Sequence, residues 1–308
     1  MGRHNVGRWA KQPLYFDWTH GHNGGILSLM RHLIPHYIGV TGIQVVSDVF
    51  PLVSAAAEAN IGPTHRHNLM LGALVSPSTV RNHLPSQTSK PYRHVSSREA
   101  LVEILKEASR HQIVGMIHFE LHKTWPGTST DCDAVLELLQ YLAAHVLQPA
   151  VQLNGVLFPT DIVKIHREGG VPVVLQLRKE HTDQGRNELL RYIKEVSAAV
   201  STILMDPSAG AGASINLGPA LTLMRCIEEQ HPKHFHFGFA GGLGGSQAAD
   251  VERTTALVAE LSRNIAGAAF SVDVETKVRV SLDESEIDRL DVSLCSHYFR
   301  SVRAGLDV

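Results

Sequence analysis

The sequence predicts an α/β fold, a (β/α)₈ barrel of the TIM type with an N-terminal extension. Three observations predict it. From residue 97 onward, segments of helical period alternate with short apolar runs, the pattern of βαβ units and a parallel sheet. Six such runs follow residue 112 and two precede it, which makes eight strands, the number that closes a barrel. The chain has 308 residues, and a barrel of this kind takes roughly 250. Residues 1–36 are therefore read as an extension packed on the barrel and residues 37–308 as the barrel itself. An open doubly wound sheet is the alternative reading of the same alternation.

The elements follow in order. IGVTGIQ and NLMLGALVS are the first two strands, bridged by VVSDVFPLVSAAAEANIG, a helix ended by Gly62. SREALVEILKEASRHQ is an amphipathic helix and IVGMIHFEL a strand; DCDAVLELLQYLAAHV leads to AVQLNGV. TDIVKIHREG, closed by Gly169 and Gly170, leads to VPVVLQL, and GRNELLRYIKEVSAAV to STILMD. LGPALTLMRCIEEQ leads to HFGFAGG, and DVERTTALVAELSRN to GAAFSVDV. SEIDRLDVSLCSHYFRSVRAG closes the chain as a helix. The polar stretch 76–92 is a long loop after the second strand, on the face where such barrels build their sites.

Composition narrows the partners. Hydrophobic content of 44%, charged content of 19% and net charge −2 describe an ordinary globular protein, with no call for nucleic acid or an acidic membrane. The N-terminal stretch lacks the apolar core of a secretory signal, and no apolar run reaches the roughly 18 residues of a membrane span. Three widely spaced cysteines without a CxxC read as reduced thiols in the cytoplasm. No cofactor is expected. The chain has 19 histidines, several of them paired: His20 and His22, His65 and His67, His118 and His122, His234 and His236. They are read mainly as surface or loop residues.

Several candidate site residues come from the residues themselves. Asp206 ends an apolar strand and should point into the barrel mouth. His118 and Glu120 are two apart on one strand and share a face; if that face lines the barrel, they could act as a base or bind a metal, and if it points to the helices they are structural. Gln152 and Asn154 likewise share a face and could bond a sugar. Gly241, Gly242 and Leu243 lie in a Gly-rich turn whose N–H groups suit a phosphate.

Strung together, these segments resemble phosphoribosylanthranilate isomerase. V-Q-L-N-G at Val151–Gly155 followed by V-P-V-V-L-Q-L-R resembles its VQLHG and VPVIKAIR. F-A-G-G-L at Phe239–Leu243 resembles LAGGL, and V-D-V at Val272–Val274 the start of VDVSSG. R-H-V-S-S-R-E-A at Arg93–Ala100 resembles RYVSPEQA, and I-G-V-T-G-I at Ile38–Ile43 resembles V-K-I-C-G-I. The matches run in order from about residue 38 to residue 279. The resemblance implies an aldose–ketose isomerisation of a small phosphorylated sugar, with a strand-six aspartate as acid and a first-strand cysteine as base. Asp206 matches the aspartate. The cysteine position holds Thr41, whose hydroxyl ionises too weakly to act as a base near neutrality without an activating partner. By the same resemblance, Arg93 would hold a substrate carboxylate and Asp273 would line the pocket; Glu275, Thr276 and Lys277 stand where the family has Ser-Ser-Gly at the phosphate site, the glutamate repelling a phosphate and Lys277 offsetting it.

Two other functions compete. D-W-T-H-G-H at Asp17–His22 contains an HxH pair of the kind metal-dependent hydrolases use. A barrel that lost its base but kept the phosphate turn would be a non-catalytic binder of a phosphorylated metabolite. The extra N-terminal segment is compatible with a homodimer.

Overall fold

The structure, a computed structural model, describes residues 34–77, 80, 93–121, 129–155, 157–178, 181, 185–206, 215–281 and 288–308. Eight parallel strands form the wall: β1 (Tyr37–Thr41), β2 (Asn68–Val75), β3 (Val114–Glu120), β4 (Ala150–Asn154), β5 (Val173–Leu177), β6 (Val200–Met205), β7 (His236–Ala240) and β8 (Phe270–Val274). Among the described residues, eight helices of ten or more residues alternate with them: α1 (Val49–Glu58), α2 (Arg98–Arg110), α3 (Ser129–Ala143), α4 (Pro159–Gly169), α5 (Arg186–Val196), α6 (Leu217–Gln230), α7 (Ala248–Asn264) and α8 (Val292–Leu306). Ile38, Gly39 and Val40 of β1 pair with Val272, Asp273 and Val274 of β8, which closes the barrel and excludes the open doubly wound sheet.

The helices start and stop for local reasons. Ser97 accepts the Ala100 N–H at 3.2 Å at the start of α2, whose Leu101, Ile104, Leu105 and Ala108 form the buried stripe. Pro159 opens α4, and Gly170, at φ 62°, ends it. Strand side chains alternate. Ile38, Val40, Leu69, Leu71, Ile117, Phe119, Val151 and Leu153 face outward into the core beneath the helices. Tyr37, Met70, Met116, Ala150, Val174 and Leu204 fill the interior. Each fully buried aliphatic side chain of this set contributes about 1.5–3 kcal/mol.

Two sequence expectations need correction. The first helix starts at Val49, after a 3₁₀ turn at Val46–Asp48, and it ends before Gly62. Its stop is Asn60, at φ 56°, whose N–H bonds the Ala57 carbonyl while Ile61 N–H bonds that of Ala56. The last helix does not begin in the SEIDRL segment: Arg279–Ser281 (β9) and Asp288–Leu290 (β10) form an antiparallel pair, and Asp291 then caps α8 by accepting Leu294 N–H at 2.9 Å. Of the paired histidines described, His65, His67 and His234 lie in loops, as expected, while His118 and His236 sit on strands, the former buried and the latter half-buried. Residues 1–33, including the HxH pair and nearly all of the proposed extension, lie outside the described residues. So do His122 and most of the 76–92 loop.

Candidate functional site

One polar layer crosses the upper barrel interior. Thr41, His118, Gln152, Gln176, Asp206 and Asp273 are all buried there, each on a different strand or just past its end. The register that closes the barrel also turns the β3 face carrying His118 and Glu120 inward, beside Gln152 and Asn154. His118, Gln152, Asn154, Gln176, Asp206 and Asp273, with Leu204, Gly241–Leu243 and Val274–Lys277, line a cleft of about 50 Å³ at the barrel mouth. Space of that size admits the reacting end of a ligand, while the rest must lie across the rim. A larger hollow of about 400 Å³ sits outside, by α4 and α5, lined by Pro159, Glu188, Arg191 and Glu195 among others. It gathers none of the layer's groups, so the mouth is the chemically equipped site.

The hydrogen bonds of this layer run in one direction. Gln176 donates from Nε2 to Asp206 Oδ2 at 2.7 Å. Its Oε1 accepts from Gln152 Nε2 at 3.0 Å and from His118 Nε2 at 3.1 Å. Gln152 Nε2 lies against the same ring, 3.2 Å from His118 Nε2 and 3.4 Å from Nδ1. Burial lowers the His118 pKa, so the ring is held neutral. His118 thus orients Gln176, and Gln176 orients Asp206. Gln152 Oε1 is buried without a donor among the described residues.

Across the layer, Thr41 Oγ1 lies 3.0 Å from each carboxyl oxygen of Asp273 and has one hydrogen to donate to the pair. The contact requires glycine at two neighbouring positions. A Cβ on Gly39 would lie 2.8 Å from Asp273 Oδ1, and one on Gly72 would lie 2.6 Å from Thr41 Oγ1. Burial raises the Asp273 pKa to about 8, with Glu275 and Asp206 adding to the rise against the Thr41 hydrogen bond. Asp273 is therefore a protonated acid near neutrality, and Thr41 is its donor.

The Gly-rich turn divides into two halves. Gly244 N–H bonds Thr254 Oγ1 at 3.0 Å and Gly245 N–H bonds the Lys277 carbonyl at 3.3 Å. The N–H groups of Gly241, Gly242 and Leu243 make no hydrogen bond among the described residues, and the two glycines take φ of 104° and 71°. A Cβ on Gly245 would fall 2.3 Å from the Leu294 carbonyl oxygen and 2.8 Å from Tyr298 N. Gly245→Ala is expected to cost about 2–3 kcal/mol. Urea denaturation checks this; a loss below about 0.5 kcal/mol would mean that α8 yields easily.

The cations of the rim are matched internally. Lys277 Nζ bonds Asp250 Oδ1 at 2.5 Å, and Asp250 also accepts from Ser246 and Arg253. Arg93 contacts Asp288 through Nε and its second terminal nitrogen, Glu275 at 2.9 Å and Thr276 at 3.2 Å. Glu120 pairs with His94 at 3.1 Å, and Asn154 accepts from Arg178 at 3.3 Å. Gln176, Asp250, Asp288 and Arg279 escaped the sequence reading. Only Gln176 left a trace there, as a polar residue between apolar neighbours on a strand. The small-residue stretch Ser208–Ser214 lies outside the described residues. Among the described residues, no group of three or more His, Cys, Asp or Glu side chains is placed to hold a metal ion.

No protein-family model matches the sequence, and no curated protein matches it. Among solved structures, N-(5'-phosphoribosyl)anthranilate isomerase from Pyrococcus furiosus is similar with a TM-score of 0.49 and 16% identity, over 87% of this chain and 98% of that one. Phosphoribosyl anthranilate isomerase from Thermococcus kodakaraensis is similar with 0.47 and 17%, over 87% and 99%. The BexX/CysO complex from Amycolatopsis orientalis gives 0.48 and 13%, over 88% and 89%. The barrel assignment rests on the closed strand register itself. Among the described residues no helix is long and apolar enough to cross a membrane.

Proposed function

We propose that the cleft catalyses an aldose–ketose type isomerisation of a small phosphorylated sugar, with Asp273 as acid and Asp206 as base. The observation that carries this reading is a pair of buried carboxyl groups in one cleft, one of them kept protonated to about pH 8. Acid and base work needs one group that holds a proton to give and a second placed to accept one.

In the proposed reaction Asp206 takes the proton from C2 of the open-chain aldose while Asp273 gives its proton to the C1 carbonyl oxygen. The resulting enediol collapses when C1 regains a proton from Asp206 and the C2 hydroxyl returns one to Asp273. Gln176 aims Asp206, and Thr41 holds Asp273. Gln152 Oε1 supplies an acceptor for a sugar hydroxyl. The phosphate is assigned to the Gly241–Leu243 N–H groups, with Lys277 contributing only in part because Asp250 holds it. These roles exchange those implied by the resemblance, in which Asp206 is the acid. We place the reaction in the cytoplasm, where the free thiols of Cys132, Cys226 and Cys295 stay reduced.

The test is hydrogen exchange at C2 in deuterated water, followed by NMR, with ribose 5-phosphate and with N-(5'-phosphoribosyl)anthranilate. Exchange is expected with at least one of them, falling about 10²–10⁴-fold in Asp206→Asn. Absence of exchange with both, together with no shift in melting temperature, would sink the proposal.

A further inference from the structure

Among the described residues, Arg93 and Arg279 are deeply buried cations at the rim, with side chains 4% and 1% exposed. Both point at a single carboxylate. Asp288 accepts from two Arg93 nitrogens and, through Oδ1, from Arg279 Nε at 2.6 Å. Arg279 is fixed in turn by the Gly42 carbonyl at 3.1 Å and by Gln44 at 3.4 Å. Gly42 lets it pass, since a Cβ there would lie 2.6 Å from an Arg279 terminal nitrogen. Burial would push the Asp288 pKa up, but the hydrogen bonds from the two arginines outweigh it and hold the pKa below its ordinary value.

Two forked guanidinium groups around one carboxylate form a complete carboxylate receptor. The carboxylate comes from β10, part of the segment between β8 and α8. The receptor adjoins the cleft directly, because Arg93 also bonds Glu275 and Thr276, which line it. We propose that Asp288 is a specificity-determining residue. It fills this two-arginine receptor with the chain's own carboxylate, and it thereby bars ligands that carry a second anionic group on the β2 side of the cleft. The specificity half rests on the reading of the cleft given above; the receptor half does not.

The experiment removes the built-in carboxylate and supplies one from solution. Asp288→Gly is expected to melt lower than the parent. Sodium formate should then raise its melting temperature by about 2–4 °C more than equal sodium chloride does, with no such difference in the parent. Asp288→Ser, which keeps a hydroxyl in the receptor, serves if the glycine variant does not fold. Binding is then compared by calorimetry for ribose 5-phosphate and 5-phosphoribonate, which has a carboxylate at C1. The parent should not favour the aldonate, and the variant should bind it at least tenfold more tightly than the parent does. Equal effects of formate and chloride would overturn the receptor. Formate rescue without gained aldonate binding would overturn the specificity role. Failure of the isomerase reading shows separately, as absence of C2 exchange in the parent protein.

Discussion

Asp273→Asn is expected to be more stable than the parent protein above neutral pH, by an amount that grows from pH 4 to pH 8. The folded pKa of Asp273, about 8, lies above the ordinary 3.8, chiefly because of burial. Below about pH 4 the group is protonated in both folded and unfolded chains and has no effect on their balance. Between 3.8 and about 8 the unfolded chain releases the proton and the folded chain keeps it, so stability falls as pH rises. Above about 8 the penalty is complete, on the order of 5 kcal/mol if the whole shift is realised. Asparagine has the same shape, still accepts from Thr41, and never ionises.

Urea denaturation of both proteins at several pH values checks this. A difference that stays constant from pH 4 to pH 8 would mean that Asp273 is ionised in the folded protein, and its role as acid would fall with it. Thr41 offers a second handle. Its hydrogen bond favours the charged form of Asp273, so Thr41→Val should raise the Asp273 pKa further, as read from carboxyl-carbon NMR titration. A fall would place Thr41 outside the pair.

The barrel was legible because it is written in local periods. Apolar runs such as Val173–Leu177, and amphipathic helices such as Arg98–Arg110, announce themselves over a few residues. Asp206 was legible for the same reason, as a charge ending an apolar run. The orientation of His118 and Glu120 was not, because strand parity leaves two choices and only the register with β2 and β4 decides between them. Gln176 drew no attention because its partners, His118, Gln152 and Asp206, sit on three other strands or their ends. The β10 strand reads as a helix because Asp288–Leu290 has no strand-like composition; its place comes from pairing with Arg279–Ser281 and from the two arginines on Asp288. The roles of Arg93 and Lys277 were hidden likewise, since their carboxylate partners are distant in sequence or unmarked by any motif.

The opposite end of the barrel carries a titration of the opposite sign, and acid is expected to weaken the protein there. Closure brings together His36, just before β1, His67, just before β2, and His236, at the start of β7. The His36 ring centroid lies 4.5 Å from that of His236 and 6.4 Å from that of His67. His36 Nδ1 is buried without a hydrogen-bond partner among the described residues. Burial lowers the His36 pKa to about 4, helped by His236, His67 and Arg66. Burial lowers those of His67 and His236 as well, against the carbonyls of Phe270 and Ala268 for the former and of Ile34 for the latter. Each folded value lies below the unfolded 6.5, so this contribution is present above pH 6.5 and is lost as pH falls through the folded values, about 4 for His36. For His36 the loss is roughly 1–2 kcal/mol once screening of its partly exposed ring is allowed for. His36→Phe keeps a ring against His236 and removes the titrating nitrogens. Its stability relative to the parent should therefore rise as pH drops from 6.5 to 4, and a flat difference in urea denaturation would remove His36 from the account. The windows of His36 and Asp273 overlap with opposing slopes, so the parent's own pH profile is expected to be shallow between 4 and 6.5. Only the two single variants, measured side by side, separate the floor of the barrel from its mouth.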